Sequence, residues 1–107
     1  MFLTCAFADD IQLTLSHYSI DDHVTLVVEN KSLEKVKIAT VHIEFDHQNY
    51  EHLSQEIIPP QQKEIFNFDV RLPDLPGSYP LVATVRYFNE GKILSLKNVA
   101  MFNFLES

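Results

Sequence analysis

The chain has 107 residues, of which 46% are hydrophobic, and a formal net charge of −7. This length suits a single domain with its own core, and one cysteine, Cys5, excludes a disulfide within the chain. The acidic balance and the scattered Lys and Arg residues argue against nucleic acid and anionic membranes as partners.

The first eight residues are uncharged and mostly apolar, and they end in Ala6-Phe7-Ala8 before Asp9. Small residues at the first and third positions before a cleavage point are typical of signal-peptidase sites. We interpret residues 1–8 as the remnant of an export signal and residues 9–107 as one domain, located in the periplasm, at the cell surface or secreted. The alternative is a first β-strand or a frayed terminus, because the apolar run is short and lacks basic residues. No segment approaches the ~20 apolar residues of a membrane-spanning helix, so we expect no membrane insertion.

Alternation of apolar and polar residues predicts seven strands and no helix beyond a turn near residues 32–35. Cys5 lies outside all seven. In the third strand the apolar parity changes near Ile38 and Ala39, which predicts a β-bulge. A polar loop is expected from Asp46 to Tyr50. The predicted strands are residues 11–15, 23–30, 36–45, a weak strand at 53–58, then 63–72, 79–87 and 92–104.

Pro76-Gly77-Ser78-Tyr79 places a tyrosine at the start of the sixth strand, directly after a turn. This arrangement is typical of a tyrosine corner, in which the phenol bonds to upstream backbone. Asn89-Glu90-Gly91 predicts a hairpin with a three-residue loop, where Gly91 supplies the left-handed residue. We therefore assign structural roles to Gly77, Tyr79 and Gly91.

The last predicted strand, Lys92 to Phe104, is apolar on parts of both faces. Val99 and Met101 lie on one face, while Ala100, Phe102 and Phe104 lie on the other. Either the domain covers both faces, or this terminal edge strand contributes to an oligomer or partner interface.

Two segments resemble bacterial extracytoplasmic modules of the CARDB and NEW3 types. Val24 to Ser32 is similar to their opening strand, and Pro76-Gly77-Ser78-Tyr79-Pro80-Leu81 is similar to their later "pG.Y.l.v.v" strand. Residues 93–96 lack the acidic residue that many such modules carry. The resemblance implies an all-β, immunoglobulin-like, seven-stranded Greek-key β-sandwich that is exported, non-catalytic and used for binding or spacing.

Enzymatic signatures are missing from the sequence, which has only two glycines and no Gly-x-Ser-x-Gly motif. We therefore expect neither catalysis nor a cofactor. A weak metal-binding hypothesis for Zn or Cu uses imidazole and carboxylate ligands. The other interpretation is a solvated face, because alternate residues on one strand lie about 7 Å apart. The metal candidates are His42, Glu44, His47 and His52.

The segment Asp46 to His52 is the predicted ligand or partner loop, with Asp46, His47, Tyr50 and His52 as its contact residues. Tyr18, Tyr50, Tyr87 and Phe88 are the rings expected to be exposed. The favoured function is a non-catalytic module that binds or scaffolds another envelope or secreted protein. The alternatives are a carbohydrate-binding module and a histidine-based periplasmic metal-binding protein.

Overall fold

The structure, a computed structural model, describes residues 2–7, 10–17, 22–89 and 91–104, with only the backbone at 2–4, 6, 7 and 17. These residues contain nine strands and no helix. The strands are β1 (Phe2–Phe7), β2 (Ile11–His17), β3 (His23–Asn30), β4 (Val36–Phe45), β5 (Gln48–Leu53), β6 (Ile57–Ile58), β7 (Lys63–Asp69), β8 (Gly77–Asn89) and β9 (Lys92–Phe104).

Two antiparallel sheets make up the fold. The first sheet has the strand order β1-β2-β3-β7, and the second has the order β5-β4-β8-β9, with β6 also paired to β4. Residues of both sheets contribute to one buried apolar cluster between them. The sheets come close together where β1 and β2 lie beside β9, and the side between β5 and β7 is more open. The protein is therefore all-β, as predicted.

Alternating residues build the core, as the sequence pattern indicates. Leu13, Leu26 and Phe45 are fully buried, and the intervening residues of their strands are more exposed. The register of β4 against β8 shifts between Ile38 and Thr40, which confirms the predicted bulge. This shift keeps the buried residues on the inner face along the whole of β4.

The tyrosine corner is formed at the start of β8. The Tyr79 hydroxyl donates to the carbonyl oxygen of Leu75 at 2.7 Å, and the Tyr79 ring packs edge-on against Phe45. Gly77 has φ 155°, a value that side chains rarely permit, and a Cβ there would lie 3.6 Å from the Tyr79 ring. Gly77 and Tyr79 together determine the conformation of the chain at the start of β8.

Asn30 is a buried polar residue whose role the sequence did not reveal. Its side-chain nitrogen donates to the carbonyl oxygens of Glu34 (2.8 Å) and Ile58 (2.9 Å). Its side-chain oxygen accepts from the backbone nitrogen (2.9 Å) and the hydroxyl (2.7 Å) of Ser32. One fully buried amide therefore holds the β3–β4 turn against β6.

The predicted polar loop at 46–50 is wrong. Only Asp46 and His47 form the turn, with φ of 49° and 62°, and β5 begins at Gln48. Two successive left-handed residues match the twist of a two-residue hairpin, so the chain reverses without a longer loop. The weak strand expected at 53–58 is divided accordingly between the end of β5 and the short β6.

The first residues also differ from the expected arrangement. Residues 2–7 form β1, which pairs with β2 from Phe2↔His17 to Phe7↔Gln12. Cys5 therefore lies on a strand, where its side chain is exposed, rather than outside the strands. Removal of this segment by export processing stays a prediction, since pairing in this chain does not decide it.

The β8–β9 hairpin is tighter than predicted. The register pairs Asn89 with Lys92, which leaves two residues between the strands instead of three. Gly91 has φ 75°, the left-handed conformation expected for it, while Glu90 lies outside the described residues.

Candidate binding surfaces

The outer face of the second sheet around His42 is polar and solvated. His42 and Glu44 share its outer face, where they pair with Glu51 and Asn49 of β5. A ring nitrogen of His42, Nε2, lies 3.0 Å from Asn49 Oδ1. The neighbouring Arg86 adds a cation to this face, which is shallow rather than enclosed.

His52 does not join that face. It pairs with Val41, whose side chain is buried in the core, so His52 points to the inner side of β5. Its ring centroid lies 5.7 Å from that of Phe66 on β7. The four predicted metal candidates are thus separated between two faces and a turn. Within the described ranges, no three His, Cys, Asp or Glu residues are grouped so as to hold a metal ion.

Tyr50 was predicted as an exposed, ligand-facing ring, and the structure places it differently. It is half-buried and packs against the core. Its hydroxyl accepts a hydrogen bond from the backbone nitrogen of Arg71 at 2.8 Å. Tyr50 therefore links β5 to the segment that follows β7. Among the other rings expected at the surface, Phe88 is 37% exposed, and Tyr18 lies outside the described residues.

Tyr87 was also predicted to be exposed, and this prediction is wrong because the structure buries its side chain. Its hydroxyl donates to Asp10 Oδ1 at 2.9 Å, and Asn89 Nδ2 donates to Asp10 Oδ2 at 2.6 Å. Burial, followed by the bond to Asp10 and its negative charge, raises the pKa of Tyr87 well above its usual range. This network joins the start of β2 to the end of β8.

An apolar patch lies on the outer face of the second sheet, at its edge strand. Val99 and Met101 of β9 are 54% and 50% exposed. They stand directly opposite Val82 and Pro80 of β8, so the four form two adjacent cross-strand pairs. We call these four residues the β8–β9 patch. Ala100 and Phe102 are buried on the inner face, so β9 is covered on one face and exposed on the other.

A groove follows β7 on the more open side of the fold. Its volume is about 330 Å³, and we call it the β7 edge groove. Phe66 and Phe68 are 7% and 8% exposed and form its apolar wall. Sequence reasoning missed it, because Glu56 and Glu64 meet there only through the packing of the two sheets. Its lining residues are His52, Glu56, Glu64, Ile65, Phe66, Asn67 and Phe68.

Comparison with known proteins identifies no family. No family model matches the chain, and no curated protein matches it. No helix in the described part of the chain is long and apolar enough to cross a membrane.

Proposed function

We propose that this protein is a non-catalytic, exported, immunoglobulin-like module that binds another envelope or secreted protein. The observation that carries the proposal is the β8–β9 patch, four apolar side chains that form two cross-strand pairs between the edge strand β9 and its neighbour β8. Exposed apolar groups that adjoin one another, rather than being scattered singly, are characteristic of interaction sites.

The strand order supports the immunoglobulin-like part of the proposal. With β2, β3, β4, β5, β7, β8 and β9 taken as strands A, B, C, C′, E, F and G, the sheets read A-B-E and C′-C-F-G. In this scheme β1 extends the first sheet beyond strand A, and β6 is a short addition beside strand C. The tyrosine corner at Tyr79 falls at the start of strand F, where such folds carry it.

The position of the β8–β9 patch favours a protein partner. Strand β9 ends the second sheet, so an extended segment that approaches it can place its own apolar side chains on Val99 and Met101. A sugar would instead require exposed rings for stacking, and Tyr50 and Tyr87 are both engaged by hydrogen bonds to the protein.

Site-specific photocrosslinking in cells that carry the native gene tests this proposal. Benzoylphenylalanine replaces Val99 or Met101 in the full chain, and the control position is Leu33, which is 88% exposed in the β3–β4 turn. We expect one discrete protein adduct from positions 99 and 101 and none from position 33. Equal crosslinking at all three positions, or none at 99 and 101, would contradict the proposal.

A second measurement addresses export. Native mass spectrometry of the protein from the envelope fraction should give a mass that begins at Asp9. An intact N-terminus recovered from the cytosol would contradict export. It would not affect the proposal that the β8–β9 patch binds a protein.

A further inference from the structure

The residues that line the β7 edge groove show that it follows the backbone edge of β7 rather than one face of the sheet. Five consecutive residues, Glu64 to Phe68, contribute to it. Successive side chains of a strand point to opposite faces, so a groove lined by all five runs along the backbone edge of the strand. β7 ends the first sheet, and no described strand pairs with its outer edge. The groove therefore gives access to backbone groups that are able to extend the sheet.

The inner wall of the groove is apolar and aromatic. Phe66 and Phe68 belong to the core but keep a small exposed fraction toward the groove. The His52 ring, on β5 of the other sheet, packs against the Phe66 ring with an interplanar angle of 59°. The two sheets thus border the groove from both sides.

The charged residues of the groove are both acidic. Glu64 has the same parity as Phe66 and Phe68 and is half-buried, while Glu56 lies in the segment between β5 and β6. The backbone of Glu56 is fixed, because its carbonyl accepts from Ile38 N at 2.9 Å and its nitrogen donates to Ser54 Oγ at 3.1 Å. No ion pair involving either carboxylate occurs among the described side chains. A ligand for this groove needs a positive charge beside an apolar stem.

We propose that the β7 edge groove binds an extended segment of a partner protein by strand addition to β7, with a Lys or Arg of that segment placed against Glu56 and Glu64. Main-chain hydrogen bonds to an open edge supply affinity, and pockets for alternate side chains supply selectivity. The aliphatic stem of Lys or Arg covers apolar surface while its charged end reaches the carboxylates. The proposal deepens the protein-binding role above, and the two can fail separately, since the β7 edge groove follows the edge of the first sheet and the β8–β9 patch lies on the outer face of the second.

The test is an NMR titration of the isotope-labelled full chain. The probe is an acetylated, amidated heptapeptide that alternates Val with Lys and Thr, and the matched peptide carries Glu in place of Lys. We expect saturable amide shifts at residues 64–68 with the Lys peptide only. A third peptide, methylated on alternate backbone nitrogens, keeps the charges but cannot pair with a strand and should not bind.

Protein variants complete the experiment. E56Q/E64Q should weaken binding of the Lys peptide about fivefold, as expected for the loss of two exposed ion pairs. E51Q, on the outer face of the second sheet, is the matched control and should leave the affinity unchanged.

Four outcomes would overturn the proposal. Undiminished binding of the methylated peptide would show a charged patch without strand addition, and equal binding of the Glu peptide would remove the charge selection. No shift at residues 64–68 with any peptide would mean that Glu64 only protects the edge from pairing. Shifts there that depend on protein concentration alone would assign the edge to a second copy of the chain.

Discussion

Replacement of Asn30 by Ala should destabilise the protein more than any other single amide substitution. Loss of the side-chain nitrogen removes a buried bond to the Ile58 carbonyl, which contributes about 0.5–1.5 kcal/mol. The bonds to Ser32 and Glu34 involve partners that reach water, and each contributes about 0.5–1.5 kcal/mol. With four such bonds lost, we expect a total loss of roughly 2–6 kcal/mol, a large fraction of the ~5–15 kcal/mol typical of a domain.

Urea unfolding of the full chain, followed by circular dichroism, measures this loss. The matched control is Asn49→Ala, because Asn49 is an exposed amide whose side chain, among the described residues, hydrogen-bonds to His42. It should cost less than about 1 kcal/mol. A loss below 1 kcal/mol for Asn30→Ala would refute the assignment of Asn30 as the residue that holds the β3–β4 turn.

Asn30→Asp tests the same side-chain contacts if the alanine variant does not fold. Asn30→Asp retains an acceptor for Ser32 but turns a carboxylate toward the carbonyls of Glu34 and Ile58. Burial and these carbonyls disfavour the charged form, so the pKa of the new carboxyl is raised in the folded state. Stability relative to the natural protein should therefore be lower at pH 7 than at pH 4, and equal losses at both values would contradict the placement.

Three further predictions concern other contacts. Tyr79→Phe removes the bond to Leu75 and should cost about 0.5–1.5 kcal/mol in urea unfolding, less if water replaces the phenol; an unchanged midpoint would contradict the corner. The pKa of Tyr87 is raised in the folded state, so its contribution to stability is full below pH 10 and falls as the pH rises further; the melting temperature of Tyr87→Phe should lose this part of the alkaline dependence. In a chain that retains residues 1–8, Thr14→Cys should form a disulfide with Cys5, because Cys5 Sγ lies 3.6 Å from Thr14 Oγ1 across the β1–β2 pair. The crosslink should stabilise the oxidised protein by roughly 2.5–3 kcal/mol relative to the reduced one. A thiol that stays free under mild oxidation would contradict the β1 register.

The sequence predicts the strands with a regularly buried inner face well and the exposed strand β5 poorly. β3, β4 and β9 begin and end at the predicted residues, because burial of one face imposes a regular alternation. β5 was missed at its start, since Gln48, Asn49 and Glu51 are exposed and have little strand propensity. A polar edge strand such as β5 gains its structure from its neighbour, and a single sequence carries little sign of that pairing.

The two candidate binding surfaces differ in the same respect, in how far the sequence predicts them. Val99 and Met101 could be placed on one face by alternation alone, and only their exposure required the structure. The β7 edge groove could not be predicted, because Glu56 and Phe66 come together through the approach of two sheets. The turn at Asp46 and His47 lacks the glycine that usually marks a left-handed hairpin turn, so a longer loop was expected.

The contact between β2 and β9 has a consequence for folding during synthesis. Asn98 on β9 donates to the carbonyl of Leu13 on β2, a contact that spans 85 residues. Folds dominated by such distant pairings fold slowly, over milliseconds to seconds, because loop closure precedes the contacts that offset its entropy. The core cannot close until the 13 residues of β9 have left the ribosome. Until then, the apolar strands that precede β9 are accessible to chaperones.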